Sequence, residues 1–395
     1  MNCLELFAGA GGLAMGTALA GFHHVGVVER DRWACETIRE NQLLGHPLVA
    51  DWPLHEQDVR TFNLKNLPSD IDLVAGGPPC QPFSMGGKHS SFTDIRDMFP
   101  TTVEIIRCTR PKAFILENVK GLTRASFANY FSYILFQLEL PEIIRRPTET
   151  WQDHRSRLER EKTSGHHAGL SYEVVPRLIN AANFGIPQRR ERIFMVGFRR
   201  DTDARWCFPP ESHSREALMV NQYVSGEYWD HHKVCSRDRP SIPDDIALAK
   251  FRRNEPGEML PWRTVRDALH GLPDPEITSG IFLNHRFQQG AKAYPGHTGS
   301  PLDLPAKTLK AGDHGVPGGE NMLVKADGSV RYFTVRESAR LQTFPDGYEF
   351  YGSWTETMRQ LGNAVPVGLA QIVASSVAVS LATAQQRKLV TASTQ

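Results

Sequence analysis

The chain is poor in the features that mark special classes of protein. Its six cysteines, Cys3, Cys35, Cys80, Cys108, Cys207 and Cys235, include no C-x-x-C pair among 395 residues. That spacing argues against a disulfide scaffold or a cysteine-built zinc site, and for a reducing compartment. No apolar run approaches the roughly 20 uninterrupted residues that span a bilayer. The most apolar stretch, Val367 to Ala384, is broken by Gln371, Ser375, Ser376 and Ser380. The opening Met1-Asn2-Cys3-Leu4-Glu5 lacks the cationic region of a signal peptide. Internal repeats and low-complexity tracts are absent. These absences lead us to expect a soluble, cytoplasmic protein with no metal centre and no membrane partner. Net charge is nearly absent too: 45 Lys and Arg against 44 Asp and Glu give a formal +1. With 40% hydrophobic and 23% charged residues, the composition is that of an ordinary globular protein and excludes disorder, collagen and coiled coil. The length suggests two or three domains.

What charge there is, is unevenly placed. Residues 1–100 hold 7 basic and 12 acidic side chains, whereas residues 101–200 hold 17 and 10. Arg189, Arg190, Arg192, Arg199 and Arg200 fall within twelve residues. Such a strip suits phosphate contact, or a solvated surface.

The first 200 residues alternate apolar runs with amphipathic stretches. Strands are expected at Asn2 to Phe7, Val25 to Val28, Ile71 to Val74, Ala113 to Leu116 and Ile193 to Gly197. Helices are expected from Gly12 to about Ala20, from Asp31 (placed to cap it) to Asn41, and over Thr101 to Cys108. This alternation implies βαβ units and a mainly parallel sheet, with ligands at the carboxyl ends of its strands. Pro141, Pro147 and the charged run Trp151 to Lys162 suggest an exposed helical insertion over 138–170. From about 200 to 350, frequent Pro, Gly and aromatic residues suggest a second, irregular domain inserted into the first. A last helix is expected over Glu356 to Lys388.

Four motifs carry chemistry. The turn Phe7-Ala8-Gly9-Ala10-Gly11-Gly12 follows a strand and opens a helix, so its backbone can approach a ligand closely. It is not the G-x-G-x-x-G of dinucleotide binding; with Glu29 ending the next strand, it suits an adenosine cofactor without pyrophosphate, the carboxylate accepting from the ribose hydroxyls. A purely structural turn reads the same way. In Gly76-Gly77-Pro78-Pro79-Cys80-Gln81-Pro82-Phe83-Ser84, two glycines and three prolines fix the backbone around one cysteine, which a buried structural cysteine does not need. Glu117 follows the apolar strand Phe114-Ile115-Leu116; partial desolvation of such a carboxyl raises its pKa and suits it to act as an acid. In Gln188-Arg189-Arg190-Glu191-Arg192, alternation places Arg190 and Arg192 on one face, able to hold a carbonyl or an anion.

These motifs, with Glu117-Asn118-Val119 and Gly362-Asn363-Ala364-Val365-Pro366, occur in an order and spacing that resemble the DNA (cytosine-5)-methyltransferases, most closely the bacterial modification methylases. The resemblance covers nearly the whole chain outside 138–170 and roughly 200–300. It implies a Rossmann-like, doubly wound α/β domain that takes a methyl group from S-adenosylmethionine, leaving S-adenosylhomocysteine. It implies catalytic roles for Cys80, Glu117, Asn118, Arg190 and Arg192. Cofactor contacts are implied for Phe7, Ala8, Gly9, Gly11, Gly12, Glu29, Asp58, Gly77, Pro79, Asn363, Ala364 and Val365, with Phe7 stacking on adenine and Asp58 on its amine. DNA contacts are implied for Gln81, Ser84, Arg96 and Thr308. Where many relatives have Asn and Leu after the arginine, this chain has Asp97-Met98. Arg336-Glu337, Arg340-Leu341-Gln342 and Phe344-Pro345 match a further motif whose expected role is organising the recognition domain.

The expected plan is a catalytic domain over 1–199, a smaller target-recognition domain over 200–355, and a returning C-terminal helix over 356–395. Double-stranded DNA would lie between the two domains, with Arg237, Arg239, Arg252, Arg253, Trp262, Arg263 and Arg266 able to reach phosphates or guanine edges. The reaction expected is methylation of a flipped-out cytosine by a monomer, protecting DNA against a companion endonuclease. Rivals are a transfer-RNA cytosine methyltransferase, which would lack so long a recognition region, and a catalytically silent DNA-binding relative, which would lose one of the catalytic residues. A dinucleotide oxidoreductase has no use for the cysteine loop.

Overall fold

The computed structural model describes residues 1–79, 97–165, 167–241, 258–278, 280–295, 298–311, 321–325 and 327–393. The chain divides into two units. The first comprises Met1–Ile179, Glu191–Pro209 and Gly347–Gln395, and the second Asn180–Arg190 and Pro210–Asp346. The borders expected at 199 and 355 fall elsewhere for identifiable reasons. Trp206 stacks on Phe198 and donates its Nε1 hydrogen to Ser376 Oγ at 2.9 Å, tying 200–209 to the first unit. At the other border Tyr348 donates to Ala10 O at 3.0 Å and the Glu349 amide to Asn41 Oδ1 at 2.9 Å.

The first unit is built on seven strands: β1 (Asn2–Leu6), β2 (His23–Glu29), β3 (Leu54–Glu56), β4 (Leu73–Gly76), β5 (Ala113–Val119), β6 (Tyr172–Asn180) and β7 (Glu191–Arg199). Their order is β3-β2-β1-β4-β5-β7-β6. The first five in that order run parallel, and β7 runs antiparallel to β5. This is the doubly wound, mainly parallel α/β sheet expected. Its strands are near-continuous apolar runs because both faces are covered; Leu4, Leu6, Val28, Val74, Phe114 and Leu116 share one core with Phe99 and Ile106 of a covering helix. β3 and β6 were not legible as strands. The first is three residues long, and the second is an edge strand with alternating exposure and a proline, Pro176, which only an edge tolerates.

Helices α1 (Gly12–Leu19), α2 (Arg32–Leu43) and α3 (Phe99–Thr109) connect strands of this sheet. Asp31 caps α2 as expected, its Oδ1 accepting from the Ala34 amide at 2.9 Å. The C-terminal helix expected over Glu356 to Lys388 is instead two, Trp354–Asn363 and Val367–Ser393. Ala364 turns extended (φ −64°, ψ 146°) two residues before Pro366, whose ring and missing N–H prevent continuation. The second helix crosses α1 where a Cβ added to Gly16 would lie 2.3 Å from Ala370 Cβ. The stretch Trp354–Thr391 is long and apolar enough to cross a membrane by length and composition, yet 61% of its most apolar window is buried inside the protein. Leu369, Ala370, Val373, Ala374 and Val377 are among the buried residues, as in a core helix.

The segment 138–170 is helical and largely exposed as expected, but it is docked through a narrow face. Helices α4 (Ala128–Glu139) and α5 (Trp151–Ser164) pack together, with Trp151 against Tyr130 and Tyr133 at 5.8 and 5.7 Å between ring centres. Leu158 is fully buried. His154 is buried as well, its Nε2 donating to Ile143 O at 2.7 Å. A carbonyl only accepts, so in the neutral ring Nδ1 must accept from the Tyr133 hydroxyl, 2.8 Å away. Burial lowers the His154 pKa, which keeps it neutral. The docked face is only a few side chains wide, so surrounding charge hid it from a reading by composition.

The second unit has short elements: strands His213–Ser214, Leu260–Pro261, Ser300–Pro301, Met322–Val324 and Val330–Tyr332, and helices Arg215–Tyr223, Glu227–His231, Val265–Leu269 and Val335–Leu341. Two small apolar clusters hold it, one around Val265, Leu309, Phe333 and Leu341, the other around Leu218, Met219, Tyr228 and Trp229. It also holds a buried ion pair in which both Arg331 terminal nitrogens reach Glu337, at 2.6 and 2.7 Å.

Candidate active site

The carboxyl ends of β1, β2 and β4 converge on a cleft lined by Phe7, Val28, Glu29, Arg30, Gln57, Asp58, Val59, Pro79 and Met98. Phe7 stands in the left-handed region at φ 55°, which disfavours a side chain and occurs where structure over-determines the backbone. Gly11 follows at φ 90°, and a Cβ there would come within 2.9 Å of the Trp52 ring. Glu29 is fixed by three amides: Gly9 N donates to Oε2 at 2.7 Å, and Arg30 N and Asp31 N to Oε1 at 2.7 Å each. The carboxylate thus joins the glycine turn to the end of β2. Of its roughly four acceptor sites three are used, so Oε2, which accepts only from Gly9, retains capacity for a ligand hydroxyl. Asp58 is gripped by Arg60, whose Nε and terminal nitrogen donate at 2.9 and 2.6 Å. That hydrogen-bonded guanidinium holds the Asp58 carboxyl well below the ordinary range, at about 2.

An aromatic and aliphatic wall with two fixed carboxylates suits an adenosine. Of the expected cofactor residues, Phe7, Glu29, Asp58 and Pro79 line the cleft, and Ala8, Gly9, Gly11 and Gly12 form the turn beside it. Asn363, Ala364 and Val365 form the joint between the two C-terminal helices and are not in the cleft lining. Val28, Arg30, Gln57, Val59 and Met98 were not anticipated. The first four are neighbours of Glu29 and Asp58 in the sequence, and that position was their available signal.

A second cluster lies at the ends of β4 and β5. Glu117 and Arg192 sit on one face of the β5–β7 pair, Glu117 opposite Phe194 and Val119 opposite Arg192, so the arginine reaches the carboxylate diagonally. Arg192 Nε lies 2.8 Å from Glu117 Oε1, with side chains only 13% and 9% exposed. Burial lowers the Arg192 pKa, and the Glu117 charge opposes that. Asn118 points the other way: its Nδ2 donates to Pro78 O at 2.8 Å, and its Oδ1 accepts from Val119 N at 2.9 Å. Gly77 leaves just enough room beside Glu117, for a Cβ there would meet Oε2 at 3.4 Å. Cys80, Gln81, Ser84 and Arg96 lie outside the described residues.

Arg190 and Arg192, expected on one face, have different partners. β7 begins only at Glu191, and Arg190 belongs to the second unit, fully buried with a terminal nitrogen donating to Leu309 O at 3.2 Å. There 187–190 runs beside 306–309. Ala306 N donates to Pro187 O at 3.0 Å, Thr308 Oγ1 to Arg189 O at 2.7 Å, and Leu309 N to Gln188 Oε1 at 3.2 Å. Of the recognition-region residues, Arg239 is paired with Asp230 at 2.7 Å and Arg266 with Asp303 at 2.6 Å. Trp262 donates to Asn183 Oδ1 at 3.0 Å, whereas Arg237 and Arg263 are exposed. Arg252 and Arg253 lie outside the described residues.

A mainly parallel sheet thus carries a cleft at its strand ends and a carboxylate–arginine pair on β5 and β7. The sequence profile of the family described as C-5 cytosine-specific DNA methylase matches residues 1–140 and 151–378, so the chain belongs to that family and is a DNA (cytosine-5)-methyltransferase. The match leaves out only 141–150 of the segment once expected to be an insertion. The chain is 29% identical to the Type II methyltransferase M.NgoMIV of Neisseria gonorrhoeae over 96% of this chain and 97% of that one. It is 31% identical to M.AplI of Arthrospira platensis over 96% and 86%. Among solved structures, the Dnmt2 methyltransferase of S. pombe shares the fold with a TM-score of 0.54 at 18% identity, over 97% of this chain and 99% of that one.

Proposed function

We propose that the chain methylates C5 of a cytosine within a short duplex sequence, through a covalent bond from Cys80 to C6 of the base. S-adenosylmethionine, bound in the cleft of Phe7, Glu29 and Asp58, supplies the methyl group. The reading is carried by the Glu117–Arg192 pair, held at 2.8 Å beside the Gly77–Pro79 turn that leads to Cys80. Cytosine C5 is a poor nucleophile; addition of the Cys80 thiolate at C6 makes it enamine-like. Glu117, protonated on substrate binding, donates to N3 and accepts from the exocyclic amine, while Arg192 moves to the O2 side of the ring. C5 takes the methyl group, a base removes the C5 proton, and the C6–S bond breaks to release Cys80. The target must leave the helix stack to reach these groups. Arg190, Thr308 and Gln188, whose side chains join 188–190 to 308–309 in the second unit, shape the recognition unit. Asn118 positions the turn before Cys80. Gln81, Ser84 and Arg96 are proposed to contact DNA, and Asn363, Ala364 and Val365 the cofactor. The enzyme acts as a cytoplasmic monomer that protects DNA in a restriction-modification system alongside a cognate endonuclease.

The test incubates the protein with unmethylated genomic DNA and S-adenosylmethionine, followed by bisulfite sequencing. Protected cytosines in one short context establish the reaction and give the recognition sequence. Cys80→Ala is expected to abolish methyl transfer while calorimetry still shows cofactor binding. Undiminished transfer by that variant removes the nucleophile assignment. Protection of transfer RNA but not DNA transfers the reading to an RNA substrate.

A further inference from the structure

We propose that His231, His232 and Asp267 form a binding site for one divalent transition ion of the zinc type in the second unit. His231 ends the helix Glu227–His231, His232 follows it, and Asp267 lies on the helix Val265–Leu269. One ligand atom from each lies within 4.8 Å of the others. Two of the three groups are already oriented. Asp267 Oδ2 accepts from the Thr264 amide and hydroxyl at 2.7 and 2.8 Å, which leaves Oδ1 directed at His232 Nε2, 3.0 Å away. The His232 ring is held edge-on against Tyr228 and His231, with centres 4.6 and 4.8 Å apart. Such outer contacts are what fix ligands around a metal before it arrives.

The third group, His231, is exposed and can turn. Tetrahedral zinc with ligand bonds of about 2.0–2.1 Å separates its ligand atoms by roughly 3.3 Å, a contraction that rotation of this one ring supplies. On binding, the His232 ring proton moves from Nε2 to Nδ1, and the Nε2 lone pair takes the metal. Two imidazoles and one carboxylate select zinc, cobalt or nickel over calcium and magnesium, which prefer all-oxygen shells. Three protein ligands leave a fourth position for water. The cysteine spacing that argues against a zinc site says nothing about this set, which contains no cysteine. The only other such grouping among the described residues, Cys3, Glu5 and His24, is wholly buried and offers an ion no path in.

The experiment titrates the metal-free full chain with zinc chloride against a chromophoric chelator. One ion per chain is expected, and zinc is expected to raise the melting temperature by joining two helices. His231→Ala is expected to weaken binding roughly tenfold or more while leaving the metal-free melting temperature unchanged. His23→Ala, an exposed histidine in the first unit, is expected to change neither. X-ray absorption of the zinc-loaded protein is expected to show two imidazole ligands and oxygen at about 2.0–2.1 Å. Failure to take up one ion, or uptake unaltered in His231→Ala, overturns the proposal.

Discussion

The two units solve the same problem, holding side chains still at a surface, by different means. In the first, one apolar core runs through the sheet from Leu4 to Phe114 and its covering helices, and the functional groups sit at strand ends whose positions the core dictates. In the second, the apolar clusters are small and buried polar groups carry the joints: Arg190 on Leu309 O, Arg336 on Leu283 O and Pro345 O, and Arg331 on Glu337. A sheet core gives rigidity through area removed from water, which tolerates changes that conserve volume. Buried ion pairs give it through geometry and fail when one partner is lost.

The sharpest way to break this contrast is to remove one partner of the buried pair. Glu337→Ala leaves Arg331 buried without its counter-charge and deletes the carboxylate that caps the Thr334 amide at 2.8 Å. A loss of about 3–5 kcal/mol is expected in urea unfolding. A loss near that of a surface pair would mean the second unit rests on its apolar clusters after all. Next, Gly16→Ala drives a methyl group into Ala370 and is expected to cost about 1–3 kcal/mol, read from the same unfolding curves.

Smaller effects sharpen the comparison, because similar local chemistry occurs in both units. Asp31 caps α2 in the first and Thr264 caps Val265–Leu269 in the second. Asp31→Ala and Thr264→Ala are each expected to cost about 1 kcal/mol; a large disparity would show that caps, not packing, distinguish the units. The smallest effect concerns Asp58. Its folded pKa, about 2, lies below its ordinary 3.8, so the stability it contributes is present above about pH 4 and is lost as pH falls through 2. Because the pair is partly exposed, less than about 1 kcal/mol is at stake. Arg60→Ala is expected to return the Asp58 titration, followed by NMR, toward 3.8, and to flatten stability between pH 2 and 4.

Much of the first unit was legible because parallel strands buried on both faces are apolar runs with polar residues at their ends. Glu29 ends β2 and Glu117 lies near the end of β5, whereas Asp58, after the short β3, was expected only from the family resemblance. What escaped notice had a tertiary cause. α5 buries too few of its side chains to show an apolar stripe, β6 is an edge, and the break at Ala364 needs the backbone to reveal that one helix is two. In the second unit, no pattern of spacing announces that Arg331 and Glu337 will be neighbours in a dry interior.

The crossing of Gly16 with Ala370 joins residues far apart in the sequence within one layer. During synthesis α1 gains this cover only once the helix Val367–Ser393 has been made. The glycine turn that α1 anchors therefore settles late, and long-range closure of this sort slows folding.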